Sequence, residues 1–184
     1  MPDPVYYINT DKNPNIAPGY TQRAYVASKS WFRVISGHDT EDTTVISAAH
    51  AFYDGFDFIY CYAQPNSVKM AGNTSGEEGA VNSIWKPEIF FPGDSAELQQ
   101  MLEVLKNDDL IFLVEDAHLA GSGHFTQFGD KLMPCHISAM TVASGTVYGN
   151  EKKGWRVELI AACKYLYTKE VHRRFGQRFG FRFR

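Results

Sequence analysis

Ile84-Trp-Lys-Pro-Glu-Ile-Phe-Phe91, Pro92-Gly93-Asp94, Ser95-Ala-Glu-Leu-Gln-Gln-Met-Leu-Glu-Val-Leu-Lys106 and Leu110-Ile-Phe-Leu-Val114 follow in close order. They read as an extended segment, a turn, an amphipathic helix and a strand. Leu98, Met101, Leu102 and Leu105 recur at the three- and four-residue spacing that places them on one helix face, while Glu97, Gln99, Gln100, Glu103 and Lys106 mostly take the other. Asp94 suits the N-cap, since its side-chain oxygen can accept from free first-turn amides, and Glu97 could reach back to complete a capping box. Asn107-Asp108-Asp109 stops the helix. A single apolar stripe implies packing on one surface, most naturally a sheet.

Two further strands are expected, over Leu132–Val142 and Trp155–Tyr167. In the second, Trp155, Val157 and Leu159 alternate with Arg156 and Glu158, so the pair predicts a long ribbon. Upstream, Arg23–Ile35 and Thr43–Ala49 are strand candidates. Asp54-Gly55, between Ala51-Phe-Tyr53 and Phe56–Tyr62, signals a hairpin. Residues 64–82, with Ala71-Gly-Asn-Thr-Ser-Gly-Glu-Glu-Gly79, carry no large apolar anchor over most of their length and are expected to form a long polar loop. The organisation expected is an irregular N-terminal arm over 1–22, a single β-rich domain over 23–167 with helix 95–106, and a basic, aromatic C-terminal arm over 168–184.

Composition favours this class. The chain of 184 residues has 14% aromatic content, with 13 Phe and 10 Tyr, which suits strands and buried ring packing better than a helical bundle. No apolar run is long enough to span a membrane, and the first residues lack the basic start and apolar core of a signal peptide. Cys61, Cys135 and Cys163 are odd in number and form no Cys-x-x-Cys pair, so reduced, buried thiols in a cytosolic setting are expected. The net charge of −3 hides an asymmetry. From Thr168 onward, six Lys and Arg against Glu170 give +5, leaving −8 on the rest. An acidic body with a basic arm attracts copies of itself, another acidic protein or nucleic acid.

No signature of chemistry stands out. Ala120-Gly-Ser-Gly-His124 lacks both the triphosphate-loop ending and the three-glycine dinucleotide pattern, and reads as an inter-strand loop. His118, His124, Cys135 and His136 share one span, but adjacent Cys135 and His136 point to opposite faces of a strand, and His118-x5-His124 matches no zinc spacing. Cys135-His136 and Ser122-Gly-His124 are adjacent only in sequence, which is not how nucleophile–base pairs are recognised. Asp39, Glu41 and Asp42 read as solvated turn charges. No catalytic residue, metal or cofactor is expected.

The C-terminal arm is the most distinctive local pattern. Arg173, Arg174, Phe175, Arg178, Phe179, Phe181, Arg182, Phe183 and Arg184 are partner-contact candidates. The alternation over Phe179–Arg184 suits a strand added to a sheet edge, and Arg with Phe also suits phosphates and stacked bases. An alternative function is therefore a small β-rich nucleic-acid-binding protein using this tail.

The order strand, helix, strand, loop, strand, turn, strand over 84–167 resembles the tail-tube fold superfamily of bacteriophages, which includes tube, tail-terminator, distal-tail and baseplate ring proteins. The resemblance rests on Ala96-Glu-Leu-Gln-Gln-Met-Leu-Glu-Val-Leu105, Asp109-Leu-Ile-Phe-Leu-Val114, His136-Ile-Ser-Ala-Met-Thr-Val142 and Gly154-Trp-Arg-Val-Glu-Leu-Ile-Ala-Ala-Cys-Lys-Tyr165. It implies a mainly β fold with one flanking α-helix (α+β), an antiparallel β-sandwich or half-barrel of tail-tube type. It further implies a virion structural protein, made in the host cytoplasm, without an active site. Copies would pair edge to edge into a ring, commonly of six, beside other tail proteins. DNA would pass through the channel rather than bind there.

Overall fold

The computed structural model describes residues 20–63, 67–77, 80–116, 124–145 and 153–169. The described chain is mainly β, with one α-helix and several sheets. Its strands are β1 (Tyr20–Ser28), β2 (Phe32–Val34), β3 (Val45–Ile46), β4 (Ala51–Phe52), β5 (Ile59–Tyr62), β6 (Lys69–Glu77), β7 (Ala80–Pro92), β8 (Leu110–Asp116), β9 (Phe125–Phe128), β10 (His136–Ala143), β11 (Gly154–Ile160) and β12 (Lys164–Tyr167). The helix α1 spans Ala96–Leu105.

A six-stranded sheet runs β3-β12-β9-β8-β1-β5 and a four-stranded sheet β10-β11-β7-β6. The apolar run Leu110–Val114 explains the centre of the larger sheet. Every residue from Leu110 to Glu115 is buried, so β8 is covered on both faces. Alternation then sorts the side chains. Leu110, Phe112 and Val114, with Ala24 and Val26 of β1, join the main core. Ile111 and Leu113, with Tyr25 and Ala27, point the other way into smaller aromatic clusters. The main core also takes Ile89 and Phe91 from β7 and Val157 and Leu159 from β11, together with Met101, Leu102 and Leu105 of the helix. The two larger sheets thus contribute to one apolar core with α1, as layered β packing requires.

Several expectations are corrected. The long loop expected over 64–82 is replaced, in its described part, by strand: β6 and β7 pair antiparallel from Lys69↔Glu88 to Glu77↔Ala80. The hydrophobicity signal failed because residues 71–76 are all exposed and the pairing rests on the backbone ladder. Gly72 lies opposite Trp85, whose ring covers it so closely that a Cβ there would stand 2.4 Å from a ring carbon.

The Asp54-Gly55 turn exists, with Phe56 N–H donating to Tyr53 O at 3.1 Å, but it closes no hairpin. β4 pairs instead with β2, and β5 with β1. Aromatic packing accounts for this: Phe52 lies on Phe32 with ring centroids 4.2 Å apart.

Trp155–Tyr167 is not one strand either. β11 pairs with β10 and β7, whereas β12 belongs to the other sheet beside β9 and β3. The corner falls at Ala161-Ala162-Cys163, where buried Ala161 bridges to Trp85. Arg23–Ile35 starts earlier, at Tyr20, and is interrupted by a 3-10 turn over Lys29–Trp31. Thr43–Ala49 contains only the two-residue β3, and Leu132–Val142 starts as a strand at His136, leaving Leu132 exposed.

Candidate interaction surfaces

The helix start differs from the sequence reading. Ser95, not Asp94, is the N-cap: its Oγ accepts from Leu98 N–H at 3.2 Å. Glu97 is then one position too early for a capping box. Asp94 is drawn off by tertiary partners. Its Oδ1 accepts from Trp155 Nε1–H at 3.0 Å and from Gln99 Nε2–H at 2.6 Å, and its Oδ2 lies 3.0 Å from Lys153 Nζ. The Gln99, Lys153 and Trp155 bonds hold the Asp94 carboxyl down to about 2. This residue clamps the helix entry to the start of β11. Behind it Met101, Leu102 and Leu105 are buried and Leu98 is half-buried against the same core.

The groups that could have carried chemistry are dispersed. His136 is exposed and its Nδ1 lies 3.6 Å from Asp109 Oδ1. Cys135 is fully buried, and desolvation pushes its thiol up to about 12. Cys61 is raised likewise to about 12 and Cys163 to about 11, and all three cysteines are free. Such thiols carry almost no thiolate at neutral pH and are poor nucleophiles. Among the described residues no group of three or more His, Cys, Asp and Glu is placed to hold a metal ion. His124 is half-buried just before β9, while His118, Ser122 and most of the Gly-rich loop lie outside the described residues. Asp39 and Asp42 organise their own turn: Asp39 Oδ1 accepts from Ser47 Oγ at 2.7 Å and Asp42 Oδ1 from Thr44 N–H at 2.8 Å. The nine Arg and Phe partner-contact candidates of the C-terminal arm lie outside the described residues, as do residues 1–19.

Two features went unread in the sequence. The first is a polar relay under an aromatic cover. His50 Nδ1 accepts from Ser36 N–H at 3.1 Å, which leaves Nε2–H to donate to Gln127 Oε1 at 2.8 Å. Gln127 is fully buried and its Nε2–H donates to Gly129 O at 2.9 Å. The His50 ring stacks on Tyr167 at 4.8 Å and meets Phe32 edge-on at 5.5 Å. Burial lowers the His50 pKa, against the opposing Gln127 bond. Gln between Phe125 and Phe128 was the available clue, since a glutamine in a buried strand must find partners.

The second is an exposed aromatic surface. Tyr53, Phe56 and Val34 are exposed at the β2–β4 sheet, and Phe56 stacks on Trp31 with centroids 5.6 Å apart.

The four-stranded sheet adds two strand edges. β6 and β10 terminate the four-stranded sheet, and neither has a strand on its outer side among the described residues. β6 is nine residues long, and residues 71–76 are exposed. Outer amides and carbonyls of such a strand form a template for pairing with another chain. Among the described residues no helix is long and apolar enough to cross a membrane. No protein-family model matches the sequence, and no curated protein or solved structure shows detectable similarity to it.

Proposed function

We propose that this chain is a non-enzymatic structural subunit that assembles with copies of itself through its sheet edges, as a ring component of a bacteriophage tail or related injection device. The observation that carries the reading is the β6 edge. Among the described residues, nine residues of edge strand are held by one neighbour, with small side chains from Ala71 to Gly76 that would not obstruct an incoming strand. Helix α1 packed on a layered β body supports the same reading, in keeping with the resemblance over residues 84–167. An acidic body suits a channel that lets DNA pass, because like charge gives no counterion-driven grip.

Negative-stain images of the purified protein test this. Closed rings with a central hole are expected. Uniform single-chain particles at every concentration would overturn it.

A further inference from the structure

The exposed aromatic surface on β2–β4 has a defined chemistry. Tyr53 is 53% exposed, Val34 51% and Phe56 45%. Tyr53 N–H donates to Trp31 O at 3.0 Å and Phe56 N–H to Tyr53 O at 3.1 Å, so one turn gathers Trp31, Tyr53 and Phe56. The turn carries Asp54 and Asp57 and the strand beside it Arg33, two carboxylates to one guanidinium. Exposed rings whose chain neighbours are carboxylates, Asp54 beside Tyr53 and Asp57 beside Phe56, fit a ligand that brings both guanidinium and phenyl groups. Arginine stacks on rings and pairs with carboxylates, and phenylalanine packs on ring edges.

Residues 170–184 of this chain have that composition: five Arg and four Phe, with Glu170 the only acid, a formal +4. They also begin nearby. Thr168 N–H donates to Ile46 O at 3.1 Å, and the Tyr167 ring stacks on His50 at 4.8 Å. His50 meets Phe32 at 5.5 Å, and Phe32 meets Phe52, the neighbour of Tyr53, at 4.2 Å. Three ring contacts thus lead from the last described strand to the patch. Fifteen residues reach up to about 50 Å when extended, ample for that distance. A short tether also holds a segment near its own chain at a local concentration of about millimolar.

We propose that residues 170–184 dock on the Trp31–Tyr53–Phe56 surface of the same chain, with arginines paired to Asp54 and Asp57. This surface is separate from the β6 and β10 edges, so the inference does not depend on ring assembly. A docked tail shields the exposed rings and occupies the arginines that nucleic acid would otherwise contact.

The test places the photoreactive residue p-benzoylphenylalanine at Tyr53 of the full chain. Irradiation at low salt is expected to join position 53 to the peptide 170–184, giving a product that runs as a single chain on a denaturing gel. Asp54→Lys with Asp57→Lys is expected to cut the yield about tenfold, the effect of roughly 1.4 kcal/mol. Arg178→Glu with Arg182→Glu should do the same without touching the described body. Cross-links that join two chains, cross-links to other segments only, no product, or yields that both charge reversals leave unchanged would each overturn the proposal.

Discussion

Asp94 and Ser95 are both good capping residues, and no local rule chooses between them. The choice is made by Lys153 and Trp155, far along the chain, which take Asp94 for themselves and leave Ser95 to cap. Local chemistry therefore located the helix start to within one residue, and tertiary contacts decided the rest. Ser95→Ala is expected to cost about 1 kcal/mol in urea unfolding, the usual value of a lost N-cap bond.

His50 shows a different limit, since nothing near it in sequence announces Gln127 or Tyr167. Its ring is held neutral, with Nδ1 accepting from Ser36 and Nε2–H donating to Gln127. Its folded pKa lies below the ordinary 6.5 because of burial. The stability it contributes is therefore complete above about pH 6.5 and is lost as pH falls, when the unfolded chain binds the proton more readily. Urea midpoints should fall between pH 7.5 and pH 5.5, and His50→Gln should flatten that part of the dependence. An unchanged slope in the variant would show that other groups set it.

Elements with burial on one or both faces were legible. The α1 stripe and the β8 run announce themselves through apolar periodicity or continuity, and alternation in β11 sorted Val157 and Leu159 from Arg156 and Glu158. Elements held mainly by backbone pairing were not. β6 offers Ala71-Gly-Asn-Thr-Ser-Gly76, loop-like in composition, yet its ladder to β7 has nine registered pairs. The corner between β11 and β12 was hidden for the opposite reason: Ala161-Ala162-Cys163 contains neither Gly nor Pro.

The edge gives an element-level prediction. Lysines on an edge strand block pairing with another chain through charge and desolvation. Asn73→Lys with Ser75→Lys should leave the melting temperature nearly unchanged, since exposed substitutions usually stay within about 0.5 kcal/mol each. The same pair should abolish or weaken assembly. Assembly that persists would move the contact to another edge, β10 first.

At the scale of the molecule, the described residues form a layered β body with an apolar core, one helix and strand edges that other described residues leave unoccupied. The fold class was readable because aromatic content, alternation and a lone amphipathic helix all pointed to it. The candidate surfaces were less readable, because exposure and edge position depend on which strands become neighbours. The Trp31–Phe56 stack unites residues on either side of β3 and β4.

If the edges recruit copies of the chain, the mass in solution must exceed that of one chain. Light scattering across a concentration series measures this most directly. A mass at a fixed multiple of 20.8 kDa, reduced to one chain by the Asn73→Lys, Ser75→Lys pair, is the expected result. A folded protein that stays at 20.8 kDa at every concentration would contradict it.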